Sequence, residues 1–485
     1  MIRRMARNAA SDEPLYRQVA HSIEQQIGRG VLRVGDKVPS VRALSRHHRV
    51  SLSTALQAYF WLEHRGYIEP RPRSGFYVRV PFTELVQEPK YRDHKAAPAA
   101  VGTATIIHEV VQMAAHPSMI PFGAAFPGPD VLATELLNRS LRNVMNRVPS
   151  HSVTYDLPEA TEAFCRQIAR HSLSHGCNFS PEDVIATCGA LEALNLCLRA
   201  VAKPRDVIAI ESPTYFGVLQ AIQSLGMHAV EIPTYPQNGM CLEALEDTIR
   251  KHRVKACVVM PNCQNPMGYV VSENVREQFV ELTGRHGVPV IEDDVYGDLA
   301  FGGRARTLKS YDKQGLVLLC SSFSKVLAPG LRIGWVHAGR FRAEVEKLKY
   351  VTTIASPTLA QLMVADTMHS GRYERYLRKL RRTFSDQVQS ASTAVAKYFP
   401  EGTRMTRPRG GYMLWIELPK QVDAFRVYRE ALQKNISIMP GTIFSPSGRF
   451  KNHIRISCNH PWSDKLDHAL HTLGQLCCGE AASHG

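Results

Sequence analysis

Ser321-Ser322-Phe323-Ser324-Lys325-Val326-Leu327-Ala328-Pro329-Gly330-Leu331-Arg332-Ile333-Gly334-Trp335 carries more information than any other stretch of this chain. The apolar run Val317-Leu318-Leu319 leads into it, so Lys325 follows a predicted strand and two small hydroxyl residues. A lysine amine so placed can condense with an aldehyde to form a Schiff base. Ser322 and Ser324 are short donors, and Arg332 presents a planar fork; together they suit a phosphate dianion. Taken by itself, Ser-x-Ser-Lys better fits a surface lysine beside a Gly/Pro turn. The rest of the chain reverses that balance.

Upstream, Ile291-Glu292-Asp293-Asp294-Val295-Tyr296 closes another apolar run, Val288 to Ile291. A carboxylate there can pair with a protonated pyridine nitrogen and keep the ring an electron sink. Pro261-Asn262-Cys263-Gln264-Asn265-Pro266-Met267-Gly268 follows the run Ala256 to Met260, and Asn265 offers an amide donor to a phenolate oxygen. In Thr187-Cys188-Gly189-Ala190-Leu191-Glu192-Ala193-Leu194 a glycine turn opens a helix, whose free backbone N–H groups attract phosphate. Ser212-Pro213-Thr214-Tyr215-Phe216-Gly217 follows the run Val207 to Ile210 and supplies an aromatic that can stack on a flat ring. Each motif alone also fits an ordinary strand end or a core tyrosine. Runs that are apolar throughout predict parallel strands buried on both faces.

In this order and spacing the motifs resemble the fold-type-I pyridoxal-phosphate enzymes, the aspartate aminotransferase superfamily, over positions 115 to 475. The resemblance implies an α/β fold with large and small domains and a mostly parallel central sheet. It implies pyridoxal 5'-phosphate as cofactor and Lys325 as the catalytic Schiff-base lysine. Asp293 then partners the pyridine nitrogen, Asn265 and Tyr296 contact the phenolic oxygen, and Tyr215 stacks on the ring. Gly189, Ala190, Leu191, Ser322, Ser324 and Arg332 surround the phosphate. Arg455, in His453-Ile454-Arg455-Ile456-Ser457, matches the arginine that clamps a substrate carboxylate. Tyr155, in Thr154-Tyr155-Asp156-Leu157-Pro158, matches a tyrosine that reaches the neighbouring subunit's phosphate, although Ala160 stands where a glycine is usual.

The N-terminal part reads differently. Leu15, Val19, Ile23 and Ile27 recur every four residues, a helical stripe ended by Gly30. Gly35 and Pro39 mark a turn, and Ser40 is a predicted N-cap for a helix holding Val41, Ala43 and Leu44. After a break at His48 to Val50, Ser51 or Ser53 caps a helix with Ala55, Leu56, Tyr59, Phe60 and Leu62, and Gly66 stands at its C′ position. Tyr67-Ile68-Glu69 and Gly75-Phe76-Tyr77-Val78 are predicted strands around a turn holding Pro70, Pro72 and Gly75. The order predicts a winged helix-turn-helix. Up to position 80 there are 14 Lys/Arg against 6 Asp/Glu, within a chain of net charge +15. Such a balance suits nucleic acid, a polyphosphate or plain solubility.

Gly35-Asp36-Lys37-Val38-Pro39-Ser40-Val41-Arg42-Ala43-Leu44, Leu62-Glu63-His64-Arg65-Gly66-Tyr67-Ile68 and Arg73-Ser74-Gly75-Phe76-Tyr77-Val78 resemble the GntR family of winged-helix regulators. That implies double-stranded operator DNA as partner. The contact candidates are Ser40 and Arg42, Ser51, Ser53 and Thr54 on the second helix of the pair, and Arg71, Arg73, Ser74 and Gly75 in the wing. Family members often carry an arginine where Leu52 stands; Leu52 can touch a thymine methyl or pack. Fusion of the two modules resembles the MocR-type subgroup. It implies a regulator that senses a small amino compound, or the cofactor level, through aldimine exchange at Lys325, and a head-to-tail homodimer. A functional aminotransferase with an accessory DNA-binding domain, and a purely structural dimeriser, are the competing readings.

The expected division is 12–80 for the winged helix, 81–105 for a partly flexible linker around the Ala/Pro stretch at Ala96 to Ala100, and 106–480 for the aminotransferase-like part. The chain has 485 residues, 44% of them hydrophobic, and no window of the ~20 apolar residues a membrane span needs. Met1 to Asn8 is basic with no apolar run behind it, so a secretory leader is not expected. Eleven scattered cysteines without a Cys-x-x-Cys pair predict free thiols in a reducing cytoplasm and no metal site.

Overall fold

The computed structural model describes residues 14–33, 35–64, 67–71, 74–78, 86–89, 96–101, 104–114, 116–147 and 162–483. The chain divides into two compact units, 1–85 and 86–485.

In the first unit, helix α1 (Leu15–Gly28) buries Val19, Ile23 and Ile27 on one stripe. Helix α2 (Val41–His48) starts at Ser40, whose Oγ accepts from Ala43 N at 3.2 Å, as the cap pattern predicts. It ends at Arg49, in the left-handed region at φ 52°. Helix α3 (Leu52–His64) is capped by Ser51 rather than Ser53: Thr54 N donates to Ser51 Oγ at 3.0 Å. Ala55, Ala58, Tyr59 and Leu62 face inward, and the Tyr59 hydroxyl donates to Pro39 O. Leu56 and Phe60 face solvent instead. Strands β1 (Ile68–Arg71) and β2 (Gly75–Val78) pair antiparallel, Ile68 opposite Val78. Pro70 thus lies in a strand rather than in the turn; a two-stranded ribbon tolerates proline because its outer side needs no partner. Val19, Ile23, Leu44, Tyr59, Leu62, Ile68 and Val78 share one core. Gly66 and Tyr155 lie outside the described residues, as do Pro72 and Arg73.

The second unit is built on a nine-stranded sheet. Its strands are β3 (Ala99–Ala100), β5 (Val184–Thr187), β6 (Val207–Ser212), β7 (His228–Tyr235), β8 (Gly239–Met240), β9 (Ala256–Val259), β10 (Val290–Asp293), β11 (Val317–Ser322) and β12 (Gly334–His337). The order is β3-β7-β6-β9-β10-β11-β12-β5, with β8 beside β7. From β7 to β11 all pairs are parallel, and β12 runs antiparallel to both neighbours. Ile208, Ile210, Val258, Ile291 and Leu318 pack on one face, and Ala209, Cys257, Val259, Val290 and Val317 on the other. This is why the runs contain no polar alternation. Strand β10 begins at Val290, later than the apolar run, because Pro289 has no N–H to give.

A smaller sheet, β13 (Arg404–Met405), β14 (Met413–Glu417), β17 (His453–Ser457) and β16 (Met439–Pro440), carries Arg455, flanked by helices such as Arg372–Tyr398. Strand β4 (Ile120–Pro121) pairs parallel with β15 (Ile436–Ser437) in a separate two-stranded sheet. Two pieces of the 81–105 stretch belong to this unit: Ala99–Ala100 pairs with His228 and Ala229 at the sheet edge, and Gln87 O accepts from Met405 N at 3.0 Å. Among the described residues no helix is long and apolar enough to cross a membrane, and no cluster of three or more metal-ligating side chains occurs.

Candidate functional site

Ligands of open α/β sheets gather outside the carboxyl ends of the strands. Here Thr187 to Gly189 follow β5, Ser212 to Tyr215 follow β6, Pro261 to Asn265 follow β9, Asp293 to Tyr296 follow β10, and Ser322 to Lys325 follow β11. Parallel pairing of β6, β9, β10 and β11, and two reversals through β12 for β5, put these five ends on one side.

The phosphate candidates form a cradle. Gly189 is the N-cap of helix Ala190–Val201 with φ 86°, and a Cβ there would sit 2.7 Å from the Arg332 guanidinium. Arg332 donates to Ser324 Oγ at 3.4 Å and to Cys188 O at 3.2 Å, and Ser324 N donates to Ser322 Oγ at 3.4 Å. Leu191 is 47% exposed, so what it offers is its first-turn backbone N–H. A Cβ at Gly334 would lie 2.7 Å from the Gly189 carbonyl carbon, so only glycine lets β12 pass beneath the turn. Gly189→Ala costs on the order of 1–3 kcal/mol in backbone strain and displaces Arg332. Its expected outcome is a fall of about tenfold or more in affinity for a phosphate-bearing aldehyde, measured by titration. Gly330→Ala, in open space in the turn that carries Arg332, serves as the unchanged control.

Lys325 Nζ donates to Ala125 O at 2.7 Å and lies 5.8 Å from the Tyr296 ring centre. Burial, helped by the Arg455 charge, lowers its pKa to about 8. Asp293 is buried, and its only hydrogen bond among the described residues is a long 3.4 Å contact from Val295 N. Burial raises its pKa to about 7, and the Lys325 charge pulls the other way. Its neighbours face elsewhere: Glu292 accepts from Leu308 N and Lys309 N at 2.8 and 3.0 Å, and Asp294 accepts from Asn262 and pairs with Arg304. The period of two along β10 selects the middle acid. Tyr215 lies near Asp293, and burial raises its hydroxyl to about 12. Tyr296 packs edge-on to Tyr412 with ring centres 5.6 Å apart, and burial pushes its hydroxyl up.

Arg455 is fully buried, and burial lowers its pKa to about 10. It donates to Gly123 O and, at 3.3 Å, to Asn265 Oδ1. Its Nε has no partner and, among the described residues, no carboxylate pairs with it. A buried cation so placed awaits an anion. The site therefore holds an unpaired buried acid, an amine of lowered pKa, a dianion cradle and an anion-seeking arginine. This set fits a pyridine ring bearing an aldehyde and a phosphate.

In the other unit, Arg42 is exposed at the start of α2. The hydroxyls of Ser51, Ser53 and Thr54 bond among themselves at 2.7 and 2.8 Å, and Ser74 Oγ meets Tyr77 Oη at 2.6 Å. Arg71 ends β1 opposite Gly75.

Residues 15–78 match the family of bacterial regulatory proteins known as gntR, and residues 140–473 match the class I and II aminotransferases. The HTH-type transcriptional regulator YdcR of Escherichia coli (strain K12) is 37% identical over 95% of this chain and 98% of its own length. The chain belongs to the MocR-type subgroup of the GntR family. YisV, an HTH-type transcriptional regulator of Bacillus subtilis (strain 168), is 28% identical over 93% of both chains. Among solved structures, LysN of Thermus thermophilus, an alpha-aminoadipate aminotransferase complexed with N-(5'-phosphopyridoxyl)-L-leucine, superposes with a TM-score of 0.71 at 26% identity, covering 78% of this chain and 95% of LysN. Kynurenine aminotransferase of Pyrococcus horikoshii, in complex with PMP, gives 0.72 at 25% identity, covering 77% and 94%.

Sequence reasoning overlooked several groups of this MocR-type site. Tyr412 donates to Ala125 O at 3.1 Å, and Asn459 Nδ2 donates to Ala124 O at 3.0 Å and to Phe126 O. With Lys325 and Arg455, they bind every carbonyl from Gly123 to Phe126. Carbonyl groups carry no sequence signal; only the glycine pair Gly410-Gly411 before Tyr412 hinted at a special backbone. Lys37, exposed, lies over Gly75, where an added Cβ would approach its Cε to 3.3 Å, and so places a cation beside the wing turn.

Proposed function

We propose that this chain is a transcription regulator whose helix-turn-helix, within 12–80, binds operator DNA. In this reading the part spanning 106–480 binds pyridoxal 5'-phosphate at Lys325 and senses an amino compound or the cofactor level. The observation that carries it is the Lys325, Asp293, Arg332 and Arg455 constellation on the same polypeptide as a gntR-family head. When bound, the cofactor supplies an aldehyde for a Schiff base and an electron-withdrawing ring. Asp293 would hold the ring nitrogen, Asn265 and Tyr296 the phenolic oxygen, Tyr215 the ring face. Gly189, Ala190, Leu191, Ser322, Ser324 and Arg332 would hold the phosphate. Arg455 would take a ligand carboxylate, and Tyr155 would reach the partner copy of a head-to-tail dimer.

The Gly123–Phe126 strap supports a route from ligand to response. The cofactor at Lys325 would withdraw that amine from Ala125 O, and a ligand carboxylate at Arg455 would draw the guanidinium from Gly123 O while an amino ligand releases the Lys325 amine again. Cofactor and ligand would thus each change a different donor of the strap, while Tyr412 and Asn459 remain. Regulation needs only that ligand favour one of two states. Amide hydrogen exchange across 122–128 is expected to quicken on loading with pyridoxal 5'-phosphate and an amino acid; unchanged exchange would rule out this route. The regulator reading is tested by footprinting upstream of the protein's own gene, with and without cofactor and a panel of amino acids. Absence of any protected site under every condition would sink it.

One observation favours transamination as a second activity: an amine of pKa about 8 can move protons near neutrality. Release of a keto acid in a single turnover would establish it.

A further inference from the structure

The solvent face of α3 is unusually apolar for a helix that enters a DNA groove. Over its first two turns the exposed side chains are Leu52 (54% exposed), Ser53, Leu56 (37%) and Gln57, and Phe60 (46%) continues the stripe. No lysine, arginine or asparagine occurs between Leu52 and Leu62. The serine and threonine hydroxyls of the first turn are engaged with one another and with the cap. Exposed basic side chains lie off α3 instead, among them Lys37 ahead of α2, Arg42 and Arg46 on α2, and Arg49 at its end.

Base edges in the major groove are read by residue type. Arginine or lysine takes guanine, glutamine or asparagine takes adenine at N6 and N7, and apolar groups take the thymine methyl. We propose that the base-reading surface of this regulator selects A·T pairs, with Leu52 and Leu56 packed on thymine methyls and Gln57 bidentate on an adenine. Residues four apart on a helix lie about 5–6 Å apart, which spans one to two base-pair steps of roughly 3.4 Å. The two methyls therefore sit on adjacent or next-but-one pairs. The surrounding cations set position on the phosphates and carry no sequence information. Charge favours DNA over a second copy of the chain as occupant of the stripe, because the head is strongly basic and would repel itself.

This inference rests on the operator-binding reading, and the two fail differently. The full-length protein, loaded with pyridoxal 5'-phosphate, is used to select sites from a random duplex library. The winning site is then remade with deoxyuridine for thymine, which removes the methyl and keeps every hydrogen bond. The expected motif has A·T pairs at the α3 positions, and each lost methyl weakens binding roughly 4-fold. Leu52→Ala and Leu56→Ala, both at exposed positions, should each lose sensitivity to one deoxyuridine while keeping the same salt slope. Gln57→Ala should relax one adenine, by about 5- to 150-fold. A motif with G·C at these positions, or equal binding of thymine and deoxyuridine sites, overturns the inference and leaves operator binding standing. If Leu56→Ala abolishes self-association without altering deoxyuridine sensitivity, the stripe is a contact between copies and the inference falls. A library that yields no motif removes the regulator reading itself.

Discussion

Lys325→Ala is expected to yield a protein with no absorbance from a covalently held pyridoxal 5'-phosphate, however much cofactor is supplied. Asp293, Arg332 and the Gly189 turn remain, so a weak, dialysable association survives while the covalent signal vanishes. The pH dependence of the wild type follows from the same amine. Only the neutral amine attacks an aldehyde, and burial has lowered this group to about 8. At pH 7 roughly one-tenth of Lys325 is then neutral, against about 0.03% for an ordinary lysine of pKa ~10.4–10.5, a gain of roughly 300-fold. The rate of uptake is expected to climb with pH between about 6 and 8 and to flatten above. A stopped-flow series across pH tests this. A rate that keeps rising to pH 10 would show an amine of ordinary basicity, and a Lys325→Ala protein that stays yellow after dialysis would place the linkage elsewhere.

Arg455→Met is expected to remove the response to amino acids while leaving the phosphate cradle and the Lys325 linkage in place; cofactor uptake near neutral pH slows, because the charge that helps lower Lys325 is gone. Arg455 touches no phosphate candidate, yet it is a buried cation left without a carboxylate and with its Nε unpartnered among the described residues. Losing a buried, charge-assisted pair costs about 2–5 kcal/mol, and affinity for carboxylate ligands should fall roughly 30- to 5,000-fold. Amines lacking a carboxylate should bind as before, and that split is the readout. Absorbance titration with an amino acid and with its decarboxylated amine measures it directly. Equal losses for both ligands would mean that Arg455 supports the fold rather than the ligand. Stability bears on the same point: a buried guanidinium without a counter-ion is costly, so methionine is expected to leave the melting temperature unchanged or raised.

Much of this molecule was legible in residue order. Apolar runs with no alternation located β6, β9, β10 and β11, because strands covered on both faces have no solvent side to mark. Ser40 announced a helix start, and the short polar residues after each run announced the site. Legibility failed where an element is apolar all round. Helix α3 offers leucine, alanine, tyrosine, phenylalanine and tryptophan on several faces, so composition could not say that Tyr59 is core and Phe60 is surface. It failed again at Ser51 and Ser53, where both spacings permit a cap and only the observed hydrogen bond chooses.

The chain's own order of residues determined that a lysine, an acid and a phosphate cradle follow successive strands, and that a helix-turn-helix precedes them. Those facts are local, set by periodicity, turn chemistry and caps. Tertiary structure alone decided what distant segments do to one another. It turned Asp293 rather than Glu292 or Asp294 into the site, left Arg455 without a counter-ion, and laid the carbonyls of Gly123 to Phe126 across the donors of Lys325, Arg455, Tyr412 and Asn459. The reason is physical: burial sets the cost of an unpaired charge, and backbone carbonyls are the same in every residue, so neither is written in side-chain identity.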